Sequence, residues 1–441
     1  MGVKVVKFGG SSLASAEQFR KVKEIIQSDS ERRYVVPSAP GKRSYTDTKV
    51  TDMLYECQKE ASEGNSIEEL FSHIMERYMD IAFELSLTID LLPHLQKVKT
   101  DIENGANAAY AASRGEYLNG LLLADFLGFA FIDAADVIFF DEKGVLDGEK
   151  TQQVMHEHLL HTEHAVVPGF YGALPDGPIM TFSRGGSDIT GAIVAAGCHA
   201  DVYENWTDVS GMLMADPRMV QDPKPIRVIT YSELRELAYM GASVLHDEAI
   251  FPVRQACIPI NVRNTNSPQE KGTMIVPEGT EGDDAQPITG IAGRKGFTVL
   301  AMEKDKMNSS VGFAADALGV LRDFGVSVEH MPTGIDTLSL VVEDSMLQGK
   351  RQDVMNQLMS HCEPDSLEVH DNMALLAVVG RGMVSRVGTS ATIFNALAKY
   401  DVNVRMIDQG SSELNIIIGV ESDELDRAMN AIYRAFEHES M

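Results

Sequence analysis

The chain has 441 residues, 44% of them hydrophobic, with 38 Lys and Arg against 65 Asp and Glu for a formal net charge of −27. The length predicts two or three domains, and the apolar content excludes a disordered chain. So acidic a surface disfavours nucleic acid and anionic membranes as partners. Four widely spaced cysteines (Cys57, Cys198, Cys257, Cys362) form no C-x-x-C pair and read as reduced thiols, not a zinc site. No apolar stretch reaches membrane-span length, and the N-terminus enters a strand with no signal peptide, so a cytoplasmic location is expected.

In chain order, strand-like apolar runs at 3–8, 34–36, 129–134, 165–169, 179–182, 201–205 and 258–262 alternate with helical patterns such as 17–27, 187–196 and 231–239. This alternation predicts an α/β fold, with helices around a mainly parallel sheet, over residues 1–265. Residues from about 52 to 127 lack strand patterns and read as a helical subdomain. The Pro-, Gly- and acid-rich stretch 266–287 reads as a linker.

Beyond it lies a gapless internal repeat at an offset of 76 residues: Val311-Gly312 matches Val387-Gly388, Leu321 matches Leu397, Gly334 matches Gly410 and Val342 matches Ile418. Each copy reads strand, helix, strand, strand, helix, the pattern of a ferredoxin-like module. The second copy runs out inside its last helix and so lacks a strand. The apolar run 288–293 is the available one, which predicts a first module at 297–370 inserted into a second made of 288–296 and 371–441.

Two glycine loops carry the chemistry. Lys7-Phe8-Gly9-Gly10-Ser11-Ser12 and Ser183-Arg184-Gly185-Gly186-Ser187-Asp188 each follow an apolar run and open into a helical segment. There glycines let the backbone turn and free amides face an anion. A Lys in one loop and an Arg with an Asp in the other suggest a phosphate donor held opposite a carboxylate acceptor. The G-x-x-x-x-G-K-[ST] spacing of a Walker loop is absent. Lys7 is either a phosphoryl-neutralising cation or a surface lysine in a turn. Arg184 is a planar fork suited to a carboxylate. Asp188 either holds an acceptor ammonium or caps its helix. Ser113-Arg114-Gly115-Glu116 reads as a further charged loop, with Glu116 a substrate contact or a helix N-terminal carboxylate. Trp206-Thr207-Asp208-Val209-Ser210-Gly211 and Asp216-Pro217-Arg218 read as a loop after a strand, either lining a nucleotide or simply a packed aromatic and a turn.

Together these residues resemble the aspartokinases, a branch of the amino acid kinase family. The matching pieces also include Ser38-Ala39-Pro40-Gly41-Lys42, Lys49-Val50-Thr51-Asp52, Phe182, Ala215, and Gly241-Ala242 with Val244-Leu245-His246, so the likeness spans nearly the whole chain. The tandem modules resemble ACT domains. The resemblance implies a three-layer amino acid kinase sandwich with two ACT modules, and MgATP-dependent phosphorylation of the L-aspartate side chain. The product is 4-phospho-L-aspartate, at the first step toward lysine, threonine and methionine.

By the same likeness Lys7 and Asp188 are catalytic, and Gly9, Gly10 and Ser11 cradle phosphates. Thr51, Glu116, Arg184 and Ser187 hold aspartate, while Thr207, Asp208, Asp216 and Arg218 line the nucleotide pocket. Mg2+ is held by the nucleotide phosphates, without a protein metal site. Met307, Ser310, Gly312, Glu329 and Thr333 form the effector site for lysine, or second threonine, and the ACT modules pair subunits into a homodimer or homotetramer. Arg405 stands in the second copy where the first has Glu329, which argues against two equivalent effector sites.

The chain departs from many relatives in carrying Ser243 for a lysine and Leu213 for a tyrosine, with Lys42 or Arg218 left to supply charge. The segment 42–49 is also longer and more polar, which reads as a mobile loop. The competing readings are a kinase for a glutamate-type acceptor and a non-catalytic amino acid sensor.

Overall fold

The computed structural model describes residues 2–175, 177–183, 185–242, 245, 247–280 and 287–439. Arg184, Ser243, Val244 and His246 therefore lie outside the described residues. The chain forms two compact units: 1–212, 225–231 and 244–280 in the first, and 213–224, 232–243 and 281–441 in the second.

The first unit is built on an eight-stranded sheet in the order Ala130–Phe131, Ala165–Val166, Arg32–Pro37, Lys4–Phe8, Val202–Thr207, Ile260–Asn264, Thr273–Val276, Val228–Thr230. Neighbours pair in parallel except Ile260–Asn264 with Thr273–Val276. Alternation along Lys4–Phe8 sorts its side chains. Val6 and Phe8 join Phe19, Val22 and Val35 in one core, which continues into the helices Val50–Ser62, Glu68–Glu84, Leu92–Glu103 and Ala108–Leu127. Val5 and Lys7 have the opposite parity, toward the side where the helix Gly186–Gly197 packs on the same strand.

Three expectations need correction. The stretch 266–287 is not all linker, because Thr273-Met274-Ile275-Val276 is apolar and β-branched enough to enter the sheet. Ser113 to Glu116 is not a loop but the middle of the helix Ala108–Leu127, started by the Asn107 side chain accepting the Tyr110 amide. Gly115 sits inside that helix because a Cβ there would lie 2.8 Å from Ala39 Cβ. Trp206 and Thr207 end a strand and do not begin a loop.

The second unit carries one five-stranded sheet in the order Thr337–Glu343, Gly290–Glu303, Ser366–Val379, Asn415–Glu421, Met406–Asp408. Gly290 to Lys295 pairs with Ala374 to Val379, while Phe297 to Glu303 pairs with both Thr337–Glu343 and the start of Ser366–Val379. Two 14-residue strands thus run through both repeats and join them in a single sheet. The strand that should follow the first copy's helix is reduced to isolated bridges at His330 and Thr333, where Pro332 has no N–H to donate.

The helix pair Phe313–Asp323 and Arg351–Cys362 packs together, as does the pair Thr389–Lys399 and Leu425–Glu439. The segments 213–224 and 232–243, which sequence reading assigns to the first domain, are bonded here. The Met214 carbonyl accepts the Ile291 amide at 2.7 Å, and the Glu233 carboxylate accepts the Thr289 hydroxyl at 2.6 Å.

Candidate active site

A cavity of about 670 Å³ opens at the C-terminal ends of the strands Lys4–Phe8, Arg32–Pro37 and Val202–Thr207. This is where a parallel α/β sheet ordinarily presents ligand sites. Its walls are Gly9, Gly10 and Ser11, residues 38–45, Lys49, Thr51, Glu116, Thr207 and Asp208. Seven sequence-predicted residues therefore meet on its lining: Gly9, Gly10, Ser11, Thr51, Glu116, and Thr207 with Asp208, whose side chains are bonded at 3.3 Å.

The phosphate-loop backbone is held by close approach. The Gly41 amide donates to the Gly10 carbonyl at 2.8 Å, and a Cβ on Gly41 would lie 2.5 Å from Gly10 C. Gly9 donates to the Trp206 carbonyl at 3.0 Å, tying the loop to the neighbouring strand end.

Lys7 is buried, and its Nζ lies 3.7 Å from where Gly9 would carry a Cβ. The same Nζ pairs with Asp188 Oδ1 at 2.5 Å, and Asn205 Nδ2 donates to that oxygen at 2.7 Å. Asp188 therefore spends its carboxylate on Lys7 and Asn205, and the N-cap of its helix is Gly185 without a side-chain cap bond. Ser187 is buried in the same first turn, where a Cβ on Gly169 would meet its hydroxyl at 2.6 Å.

Glu116 is the opposite case. It is buried on the cavity wall, and its Oε2 has no hydrogen-bond partner. Burial pushes its pKa from 4.5 up to about 8, only partly offset by hydrogen bonds from the Ala39 amide and its own and by the charge of Arg114. Arg114 itself lies over the rings of Tyr110, Tyr117 and Tyr171 at 4.7, 4.6 and 5.0 Å. A buried carboxyl on a cavity wall, held up in pKa, can receive a cation such as an amino acid's ammonium, whose arrival favours its ionised form.

Asp216 and Arg218 do not join this cavity's lining. They belong to the second unit, where Arg218 forks onto Asp216 at 2.5 Å and is otherwise exposed. Trp206 is a packed aromatic, stacked on Phe8 with ring centroids 6.0 Å apart. Asn205 lies in none of the motifs, and Lys49 and 43–45 are read from sequence only as part of a motif or a loop, with no site role. The register of Val202–Thr207 beside Lys4–Phe8, which sets Asn205 opposite Lys7, is the signal that finds Asn205.

In the second unit Met307 packs on the core of the first repeat, and Gly312 begins the helix Phe313–Asp323. The turn 304–310 is bonded to Ile335 and Asp336, just beyond the exposed Thr333; Ser310 is exposed as well. The Glu329 side chain is only 7% exposed and is already engaged: the Tyr239 hydroxyl donates to it and Arg294 Nη2 stands 4.0 Å away.

A glycine-lined anion cradle on a mainly parallel sheet, with a buried lysine beside it, defines a small-molecule phosphotransferase. The chain belongs to the amino acid kinase family, whose pattern matches residues 2–264, and an ACT domain matches residues 376–436. Its full-length relatives are aspartokinases. It is 39% identical over 453 residues to aspartokinase 3 of Bacillus subtilis (strain 168), covering 98% of each chain. The crystal structure of Clostridium acetobutylicum aspartate kinase superposes with a TM-score of 0.91 at 53% identity, covering 99% of this chain and 100% of that one. E. coli aspartokinase III in complex with lysine and aspartate (T-state) follows at a TM-score of 0.73 and 26% identity, covering 98% and 99%. Its complex with aspartate and ADP (R-state) gives 0.72 and 25%, covering 99% and 100%. The chain spans about half the length of the bifunctional aspartokinase/homoserine dehydrogenase of Daucus carota, which it matches at 31% identity. Among the described residues no helix is long and apolar enough to cross a membrane.

Proposed function

We propose that the chain is a regulated aspartate kinase, transferring the γ-phosphoryl group of ATP to the side-chain carboxylate of L-aspartate. A carboxylate oxygen forms the new bond to Pγ, the Pγ–O bond to the β-phosphate breaks, and ADP leaves with that electron pair. The observation that carries this reading is the one cavity joining a glycine phosphate cradle to the buried Glu116, whose Oε2 has no hydrogen-bond partner.

In this reading Gly9, Gly10 and Ser11 take the phosphate chain, and the Lys7 ammonium neutralises charge on the migrating group. Asp188 and Asn205 hold that ammonium in place, which is electrostatic preorganisation. Glu116 accepts the α-ammonium of aspartate, with Thr51 and Ser187 alongside. Arg184 is assigned to the acceptor's carboxylates through the motif alone. Thr207 and Asp208 face the nucleotide, while Asp216 and Arg218 are assigned to it through the family likeness alone.

Mg2+ is assigned to the triphosphate oxygens, the hard ligands it prefers, and when bound it offsets phosphate charge. Among the described residues no group of three or more His, Cys, Asp or Glu is placed to hold a metal ion. The effector site is assigned to Met307, Ser310, Gly312, Glu329 and Thr333, with lysine first and threonine second, in a cytoplasmic homodimer or homotetramer joined by the ACT modules. The E. coli relative with bound lysine supports the order of effectors.

The test is ADP release with L-aspartate, with L-glutamate and with no acceptor, each with and without lysine or threonine. Aspartate-dependent turnover suppressed by one of the two is expected. Turnover with glutamate instead, or none in the presence of bound ATP, overturns the reading in favour of a different acceptor or a sensor.

A further inference from the structure

The segment 41–49, which lines the cavity through residues 41–45 and Lys49, is held from behind by a residue outside that lining. Arg77, on the helix Glu68–Glu84, is 3% exposed. Its Nη2 donates to the Gly41 carbonyl. Its Nη1 donates to the Thr48 carbonyl at 3.2 Å and to Asp47 Oδ2 at 2.8 Å. Those acceptors bracket the segment 42–46 on both sides. One guanidinium thus pins both feet of the loop, a task its planar fork suits and an ammonium does not.

The loop's other bonds are mostly local. The Val50 amide donates to the Pro40 carbonyl at 3.4 Å across the base, the Asp47 amide to the Ser44 carbonyl at 3.2 Å, and the Ser44 and Thr46 hydroxyls meet at 3.3 Å. Asp47 Oδ2 also accepts the Arg43 amide at 2.8 Å and pairs with Arg43 Nε at 3.1 Å, so the Arg77–Asp47 pair extends into the loop's own closure. Between the feet, Tyr45 is 98% exposed, and the loop presents Lys42, Arg43 and Lys49 to the cavity. Three cations on one wall suit an anionic ligand. Gly41, the first foot, is the residue whose backbone packs on Gly10 of the phosphate cradle.

We infer that Arg77 is a positioning residue for ligand binding, a staple that holds the cationic 42–49 loop in its binding-competent form for the anionic end of a substrate. This rests on the cavity being the active site. Ordering a loop in advance removes part of the entropy that binding would otherwise cost, so the staple acts on affinity more than on the chemical step. Two substrates carry suitable anions, the ATP phosphates and the aspartate carboxylates, and the kinetics separate them.

The variants are Arg77→Met and Arg77→Lys. Methionine fills the buried space and Asp47 keeps its Arg43 partner, but the Gly41 and Thr48 carbonyls lose a donor, so thermal unfolding first establishes that the variant is folded. Two readouts are compared with wild type: KM and kcat for ATP and for aspartate separately, and the rate of tryptic cleavage after Lys42 and Arg43, followed by mass spectrometry. For Arg77→Met, KM for one substrate rises at least tenfold and by more than kcat falls. Cleavage within the loop accelerates at least tenfold, and saturating that substrate restores protection. Arg77→Lys lies between it and wild type in both readouts.

A folded Arg77→Met with wild-type KM values and wild-type cleavage overturns the inference. If Arg77→Met does not fold, Arg77→Lys decides by the same two readouts, and wild-type behaviour overturns it. Absence of aspartate-dependent turnover in the wild type would refute the functional reading instead, and the cleavage rates would still decide the staple.

Discussion

The two units each bury a glutamate suited to holding an ammonium, and they keep it differently. In the kinase unit Glu116 faces a cavity with one oxygen unpartnered and its pKa raised to about 8 by burial. In the ACT unit Glu329 is already occupied by the Tyr239 hydroxyl with Arg294 close by. Tyr239 is correspondingly pushed well up, first by burial and then by its bond to Glu329. A carboxyl with one oxygen left unpartnered gives up desolvation energy in the empty state and recovers it when a cation arrives, which favours tight, selective binding. A carboxylate with an internal partner lets a ligand bind only by displacing it. In the roles proposed for these residues, the first arrangement suits a substrate that must always be accepted, and the second suits an effector whose binding must change the protein's state.

That contrast can be broken by substitution. Glu116→Gln keeps the shape but cannot ionise against the aspartate ammonium, and truncating a buried charged contact costs about 2–4 kcal/mol. KM for aspartate should therefore rise roughly 30- to 1,000-fold, while KM for ATP changes far less; steady-state kinetics in both substrates checks this. Gly41→Ala tests whether the cradle beside Glu116 depends on backbone contact. The added Cβ would meet Gly10 C at 2.5 Å, so thermal unfolding should show a loss of about 1–3 kcal/mol.

Tyr239→Phe is the smallest change. It removes the internal competitor for Glu329, worth about 1 kcal/mol, so inhibition should need roughly fivefold less effector. A titration showing weaker inhibition would mean that the tyrosine assists the effector instead of opposing it.

Much of this site was legible in the sequence because its phosphate side is made of local motifs. Lys7 through Ser11 is one strand end and one loop, and Asp188 starts one helix, so their chemistry travels with short spacing. The acceptor side was harder. Glu116 reads as a loop residue because Ser113-Arg114-Gly115 carries turn-forming types, and only Ala39 packed against Gly115 explains a glycine inside a 20-residue helix. Arg77 is invisible to motif reading, since its acceptors are two backbone carbonyls and an Asp 30 residues away. The repeat at 76 residues announced two modules. It gave no sign that Gly290–Glu303 and Ser366–Val379 would each run through both, because strand continuity depends on pairing across the sheet. Thr273–Val276 was lost among the surrounding Pro, Gly and acidic residues, whose turn signals outweigh a four-residue strand.

The raised pKa of Glu116 also fixes a sign with pH. From its ordinary value of 4.5 up to about 8 the unfolded chain ionises while the folded one does not, so the residue's cost to the empty fold grows across that window. A bound ammonium reverses this by favouring the carboxylate, and aspartate affinity should tighten by up to about tenfold per pH unit as pH rises toward 8.

The most direct test is calorimetry of L-aspartate binding at pH 7 in buffers of different ionisation enthalpy, on wild type and Glu116→Gln. With a pKa of about 8, most of a proton should leave the wild-type complex and far less the variant. Equal proton release from both proteins, or none from either, would contradict a neutral Glu116 waiting for the substrate's ammonium.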